Sequence, residues 1–187
     1  MSVSLFNGYS PGRVELLGNH TDYNQGRVLA GAIDRGLAVS GHANPECRIR
    51  LRSIALKRSV DVAVNAIVPQ AAEPWADYAL GVVKEFLSAG VEISGFDATV
   101  SGDLPAGGGL SSSAAFELAT AHFLLKLHGS TMEPMALAKL CQRAENGFTA
   151  VRSGLLDQAT CTFGREEHAV MLDCRCEEVT LIPFPPA

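Results

Sequence analysis

Hydrophobic residues in the first half of the chain recur at every second position, which is the spacing of a half-buried β-strand. In 59–64, three valines lie on one face, with Asp61 and Ala63 on the other. In 48–54, arginines alternate with isoleucine and leucine. This pattern, together with β-type composition elsewhere, predicts strands at 13–17, 28–40, 48–54, 59–64 and 96–100.

The middle of the chain changes to the period of an amphipathic helix, about 3.6 residues. Residues 75–89 follow this period and are closed by Gly90, a typical residue just after a helix. A second helix is predicted at 111–127. A third runs from about 133 to 146, with Pro134 suited to its first position.

The last part of the chain is predicted to return to strands, at 159–163, 169–172 and 179–182. Strands come first and then mix with helices, without regular βαβ alternation. This order indicates an α+β fold and not a doubly wound sheet. The final residues, PFPPA, are typical of a linker, so we expect further sequence downstream.

Composition narrows the range of partners. The chain has 187 residues, which suggests one domain, and a net charge of −5. This acidic balance argues against nucleic-acid binding, which needs clustered Lys and Arg. The five cysteines include no CxxC pair, which favours buried thiols in a reducing compartment over a metal site. No signal peptide or apolar run of ~18 residues is visible, so we expect a cytoplasmic protein without a membrane partner.

The run PAGGGLSSSA at 105–114 places three glycines and three serines before a predicted helix. Glycine lets backbone amides approach a ligand closely, and a helix N-terminus attracts anions such as phosphate. The run lacks the lysine of a Walker A loop and fits a dinucleotide fingerprint poorly. The alternative interpretation is a flexible loop followed by an ordinary serine-capped helix.

The same run resembles the phosphate-binding motif of the GHMP kinases, the superfamily of galactokinase, homoserine kinase and mevalonate kinase, where it wraps the triphosphate of ATP. The resemblance implies the superfamily's N-terminal domain over 1–187, a ribosomal protein S5 domain 2-like fold with a mixed sheet and helices on one side. The resemblance covers only the N-terminal half of a galactokinase, and we expect the C-terminal domain to be missing here or to be supplied by a separate chain. The implied ATP-binding residues are Pro105, Gly107, Gly108, Gly109, Leu110, Ser111, Ser112, Ser113 and Ala114. WADY at 75–78 resembles a segment whose tryptophan lies against adenine; the alternative for Trp75 is a place on the apolar face of its helix.

A second polar cluster lies near the N-terminus. Arg13, His20, Asp22 and Asn24 fall within twelve residues. Their carboxylate and imidazole suit sugar hydroxyls, and the arginine suits developing negative charge. A polar surface turn is the alternative. The stretch is similar to the galactokinase signature, which implies that Arg13 is catalytic.

The same resemblance implies a sugar site formed by Asn19, His20 and Asp22. Two residues depart from the galactokinase pattern: Glu15 stands where Asn is usual, and Asn19 stands where a sugar-binding Glu is usual. An amide in place of that carboxylate leaves galactose as the default substrate and a uronic acid or another hexose as alternatives.

A third region contains two carboxylates suited to phosphoryl transfer, which needs a metal ligand and a group that takes the proton of the attacking hydroxyl. Glu145 lies near the end of a predicted helix, and Asp157 at the turn before the predicted strand 159–163. The resemblance implies that Ser113 and Glu145 hold Mg²⁺, that Asp157 is the catalytic base and that Gly154 lies at the sugar.

Together these segments imply an ATP-dependent sugar 1-kinase that uses ATP and Mg²⁺. The alternative is a non-catalytic sensor of sugar and ATP that resembles galactokinase. Such sensors lose the Ser-Ala pair that closes the glycine–serine loop, and Ser113 and Ala114 are present here.

Overall fold

A long antiparallel hairpin organises the sheet in the computed structural model, which describes residues 4–18, 20–149 and 151–184. The strands are β1 (Phe6–Leu17), β2 (Arg27–Asn44), β3 (Arg48–Ser53), β4 (Arg58–Ala63), β5 (Gly95–Gly102), β6 (His168–Asp173) and β7 (Glu178–Pro183). The helices are α1 (Asp77–Ser88), α2 (Ser112–Leu127), α3 (Pro134–Phe148) and α4 (Leu156–Phe163). Short 3-10 turns lie at Asp22–Asn24, Val64–Ala66 and Pro74–Ala76.

The sheet has the strand order β4-β3-β5-β2-β6-β7, and β1 also pairs with β2. The C-terminal half of β2 pairs with β5, and its N-terminal end pairs with β6. The pairing of β3 with β5 is parallel, and the other pairings are antiparallel. The sheet is therefore mixed, and its long central strand joins two groups of strands.

The helices cover one face of this sheet. Ile49 and Leu51 of β3 are buried, whereas Arg50 between them points to the opposite face and pairs with Asp61 of β4. The fully buried side chains Phe86, Phe96, Phe123 and Leu118 form the centre of the core between sheet and helices. The predicted α+β class, with a mixed sheet and helices on one side, is confirmed.

The predicted strand at 159–163 is wrong, because these residues belong to α4. Threonine and phenylalanine favour strands locally. The 3.6-residue period nevertheless places Leu156, Ala159 and Thr160 on one buried face, which packs against α3, and Gly164 follows the helix. Tertiary packing here overrides local preference.

Two of the five cysteines, Cys141 and Cys161, are buried; Cys174 is half-buried, and Cys47 and Cys176 are exposed. All five are free thiols. Within the described ranges, no helix combines the length and the apolar character needed to cross a membrane.

Candidate active site

An arginine and an aspartate that lie 144 residues apart in the sequence form the centre of the site. Arg13 lies in β1, and Asp157 lies in the first turn of α4. Arg13 Nε and Nη2 donate to Asp157 Oδ1 at 2.8 and 2.5 Å. The side chains are 11% and 25% exposed, so the pair is shielded but still reachable from solvent. The structure thus brings together the two residues that the sequence predicts to be catalytic.

The glycine–serine loop is bonded directly to this pair. Arg13 Nη1 donates to the carbonyl oxygen of Gly109 at 2.8 Å, and the Arg13 backbone N–H donates to that of Leu110 at 3.1 Å. Ser111 Oγ donates to Asp157 Oδ2 at 2.6 Å. The predicted phosphate loop and the predicted catalytic pair are therefore parts of one site.

The backbone of the loop has the form that the glycines predict. Gly107 and Gly109 have φ values of 72° and 69°, and a Cβ at either position would face open space. Ser111 stands at the N-cap of α2 with a φ of 56°, and its side chain makes no capping bond to the helix. The first N–H groups of α2 are left without a serine cap and suit an anion. This geometry disfavours the ordinary serine-capped helix.

A cleft of 380 Å³ opens beside the loop. Pro105, Gly107, Ser112 and Ser113 contribute to one part of its lining. The cleft is also lined by the apolar or aromatic residues Leu37, Leu56, Trp75, Tyr78, Val100 and Phe116. An apolar wall next to polar loop groups suits a ligand with a flat ring at one end and charge at the other.

Trp75 lies in this wall, with its ring stacked on Phe116 at a centroid distance of 6.2 Å and an interplanar angle of 21°. Its Nε1 donates to Glu73 at 2.6 Å. Trp75 precedes α1 and is half-buried, so it both packs against the core and lines the cleft. Ala114, by contrast, is fully buried in α2.

A second depression, of 540 Å³, lies on the open face of the sheet. Its lining contains none of the residues predicted to be functional. Asp97 there lies 3.5 Å from Arg50 and 3.7 Å from His42. Because its charged groups pair with one another, we assign the site to the cleft and not to this larger depression.

A buried polar network supports Glu145, the predicted metal ligand. Glu145 is 3% exposed, and its Oε2 accepts hydrogen bonds from Ser153 Oγ and, at 3.1 Å, from Gln158 Nε2. Gln158 Nε2 also donates to Glu117 Oε2 at 3.0 Å. Burial raises the pKa of Glu117 well above its usual value, and the charge of Glu145 adds to the rise.

Sequence reasoning missed Glu117 and Gln158. Glu117 lies within the apolar stretch of α2 and is fully buried. A lone carboxylate among buried alanines and leucines is the signal that could have found it, since buried carboxylates need partners.

The donor set suits Mg²⁺ held mainly by a nucleotide. Within the described ranges, no group of three His, Cys, Asp or Glu side chains could hold a metal by itself. Mg²⁺ typically takes one or two carboxylates together with substrate phosphates and waters. Glu145 uses only Oε2 in the hydrogen bonds above, which leaves Oε1 for a ligand. Ser113 lies at the loop end of the cleft.

Two of the predicted sugar residues, Asp22 and Gly154, lie near the start of α4. The Asp22 carboxylate lies directly against Gly154: a Cβ on that glycine would be 1.8 Å from Asp22 Oδ2. His20 is exposed, and its ring lies 5.8 Å from that of Tyr23. Burial and the charge of Asp22 raise the pKa of the Cys174 thiol to about 11. Asn19 lies outside the described residues.

Two family profiles match the chain. The profile described as "GHMP kinases N terminal domain" matches residues 77–165, and the "Galactokinase galactose-binding signature" matches residues 4–42. The first range contains the loop, Glu145 and Asp157, and the second contains Arg13 and Asp22. The two profiles therefore fall on the two halves of the site described above.

Curated relatives include a galactokinase of Thermococcus kodakarensis, 42% identical over 95% of this chain and 49% of the relative, and a galactokinase of Roseiflexus, 38% identical over 95% and 45%. Among solved structures, Lactococcus lactis galactokinase complexed with galactose has a TM-score of 0.90 at 32% identity, over 96% of this chain and 47% of that one. Methanococcus jannaschii mevalonate kinase shares the fold, with a TM-score of 0.78 at 21% identity, over 97% of this chain and 56% of that one. The chain spans about half the length of the relatives it matches.

Proposed function

The chain belongs to the GHMP kinase superfamily, and we propose that it forms the ATP- and sugar-binding half of a galactokinase-like sugar 1-kinase. The reaction is transfer of the γ-phosphoryl group of ATP to the anomeric hydroxyl of galactose or a related sugar. One observation carries the proposal: the Arg13–Asp157 pair is hydrogen-bonded to the loop that is suited to hold the phosphates. Galactokinase relatives at 42% and 38% identity support it.

The nucleotide lies in the cleft under this proposal. Its base packs against the apolar wall that contains Trp75 and Phe116. Its phosphates accept hydrogen bonds from the amides of Gly107 to Ser113 and from the N-terminus of α2, whose partial positive charge favours anions. The apolar wall suits the base, and the partial positive charge at the N-terminus of α2 suits the phosphates, so this orientation is favoured over its reverse.

Ser113 and Glu145 are proposed to hold Mg²⁺, which when bound neutralises charge on the phosphates. The part played by the protein is to hold the Glu145 carboxylate in a fixed orientation. Ser153 and Gln158 do this by donating to the same carboxylate oxygen.

Asp157 is proposed to take the proton from the anomeric hydroxyl, whose oxygen then bonds to the γ-phosphorus while the bond to ADP breaks. Arg13 donates two hydrogen bonds to Oδ1 and so holds the carboxylate in place. The arginine also stabilises negative charge that develops on the transferring group. Loss of a general base of this kind reduces the rate by about 10²- to 10⁴-fold.

Asp22 and His20 are proposed to bind sugar hydroxyls, with the backbone of Gly154 as the wall behind them. Galactose is the default substrate because the relatives are galactokinases. Asn19 removes one negative charge relative to the galactokinase signature, so a uronic acid belongs in any substrate panel.

The test is ATP-dependent phosphorylation of a panel of hexoses and uronic acids, followed by ADP release. It uses the chain alone and the chain joined to the C-terminal half of the Thermococcus relative. Asp157→Asn is expected to lose turnover by about 10²- to 10⁴-fold. Asp34→Asn, an exposed aspartate of β2, is the matched control and keeps the wild-type rate.

Sugar binding by calorimetry without turnover of any sugar in either form would favour the non-catalytic sensor. The absence of both sugar binding and turnover would contradict the proposal altogether.

A further inference from the structure

Ser111 has a hydroxyl bonded to the catalytic carboxylate, whereas its place in the loop suggests a role with phosphate. We propose that Ser111 is a positioning residue: its hydroxyl holds Oδ2 of Asp157 while Arg13 holds Oδ1, and together they fix the plane of the carboxylate for proton transfer. This inference rests on the proposed kinase function, because it assigns a part in that reaction.

The two anchors act on opposite oxygens. The terminal torsion of an aspartate is broad, so one anchor leaves the carboxylate able to rotate. Arg13 reaches Oδ1 from β1, and Ser111 reaches Oδ2 at 2.6 Å from the start of α2. Two donors on separate elements remove that rotation.

The same bonds select the oxygen that takes the proton. An ionised carboxylate has about four acceptor positions. Arg13 uses two on Oδ1 and Ser111 uses one on Oδ2. The remaining position is on Oδ2, so the sugar hydroxyl transfers its proton to Oδ2, next to the serine.

The backbone of Ser111 supports a role for its hydroxyl. Among the described residues, seven that are not glycine have a positive φ, and Ser111 is the buried one, at 8% exposure, while the other six are exposed. Glycine adopts this conformation without strain, as Gly109 does two residues earlier. A strained residue at a reaction centre is best explained by what its side chain does there.

Kinetics separate this role from direct contact with phosphate. In the assay described above, Ser111→Gly and Ser111→Ala are expected to lower kcat by about 10- to 100-fold, the effect of one hydrogen bond to a charged group. The KM values for ATP and sugar stay within about two-fold, because ground-state binding is unchanged. Glu167→Gly, an exposed residue with a φ of 57°, controls for relief of backbone strain and keeps the wild-type kcat.

A double-mutant cycle tests the contact without turnover. Urea unfolding of the chain is measured for Ser111→Ala, Asp157→Ala and the double variant. Ser111→Ala is expected to lower the urea midpoint in the wild-type background and to change it by less than half as much when Asp157 is already alanine.

Equal effects of Ser111→Ala in both backgrounds would overturn the inference, as would an unchanged kcat or a raised KM for ATP with normal kcat. If Asp157→Asn loses turnover while the Ser111 variants do not, only this inference fails. If the wild-type chain shows no turnover in either form, the proposed function fails and the cycle alone decides whether Ser111 holds Asp157.

Discussion

Replacement of Glu117 by glutamine should stabilise the chain at alkaline pH and have little effect in acid. Glu117 is fully buried, and its Oε2 accepts a hydrogen bond from Gln158. In the part of the chain that the structure describes, Oε1 of Glu117 and Oε1 of Gln158 are both buried without a hydrogen-bond partner. Glutamine keeps an acceptor for Gln158 and supplies an N–H donor in place of an unpaired oxygen.

The sign follows from the pKa of Glu117, which burial raises well above the usual value of 4.5. The folded chain therefore holds this proton more tightly than the unfolded chain does. The resulting stabilisation is complete below the unfolded value and is lost as the pH rises through the folded value. Glutamine cannot ionise, so the difference between variant and wild type grows over the same pH range.

At pH 4 the wild-type carboxyl carries its proton and offers an O–H donor, as the glutamine offers an N–H donor, so the two proteins differ mainly where the carboxyl ionises and loses that donor. A buried polar atom without a partner costs about 1–3 kcal/mol. We therefore expect Glu117→Gln to raise the free energy of unfolding by about that amount at pH 8 and by close to zero at pH 4. For a chain of this size, 1 kcal/mol corresponds to about 2–4 °C in Tm.

Thermal and urea unfolding of both proteins across pH 4–8 measure the difference. Glu92→Gln, an exposed glutamate, is the matched control and should show no pH-dependent gain. A Glu117→Gln effect that is the same at pH 4 and pH 8, or a loss of stability at pH 8, would refute the reasoning.

Two further substitutions test the sugar and nucleotide sites. Gly154→Ala places a Cβ 1.8 Å from Asp22 Oδ2, so the Asp22 carboxylate must move. Because a displacement of about 1 Å can cost about 10²-fold in rate, kcat/KM for the sugar should fall by about that factor. Gly147→Ala, whose Cβ meets nothing within 4 Å, should leave kcat/KM unchanged. Trp75→Leu keeps an apolar side chain but loses the stack on Phe116. The KM for ATP should therefore rise several-fold while the KM for the sugar stays constant. Equal increases in both KM values would argue against a base-binding role for Trp75.

Local patterns predicted the elements well because each depends on neighbouring residues. The alternation in 59–64 and the period in 75–89 correspond to β4 and α1. The strand prediction for 159–163 failed because the burial that makes this segment a helix comes mainly from α2, α3 and β1, which no local pattern contains. The parallel pairing of β3 with β5 is equally non-local, since it joins residues more than 40 positions apart.

The candidate site also has a part that local sequence predicts and a part that depends on distant residues. Residue types at 105–114 indicated an anion loop, because glycine and a helix start are local properties. The bond between Ser111 and Asp157 could not be predicted, since it depends on where α4 begins relative to α2. Glu117 was missed because a single carboxylate on a helix is normally exposed, and only the packed structure shows it to be buried.

One short segment links the proposed nucleotide site to the Arg13–Asp157 pair. The carbonyl oxygens of Gly109 and Leu110 accept hydrogen bonds from Arg13, and the Ser111 hydroxyl binds Asp157. The amides of the same segment are the proposed phosphate donors. A shift of this loop would therefore move both reacting groups, and a displacement of about 1 Å can cost about 10²-fold in rate. Because the loop binds Arg13 and Asp157 through its carbonyls and side chain, its amides stay available for phosphate, and under the proposed function this one turn would set the distance between the γ-phosphorus and the base.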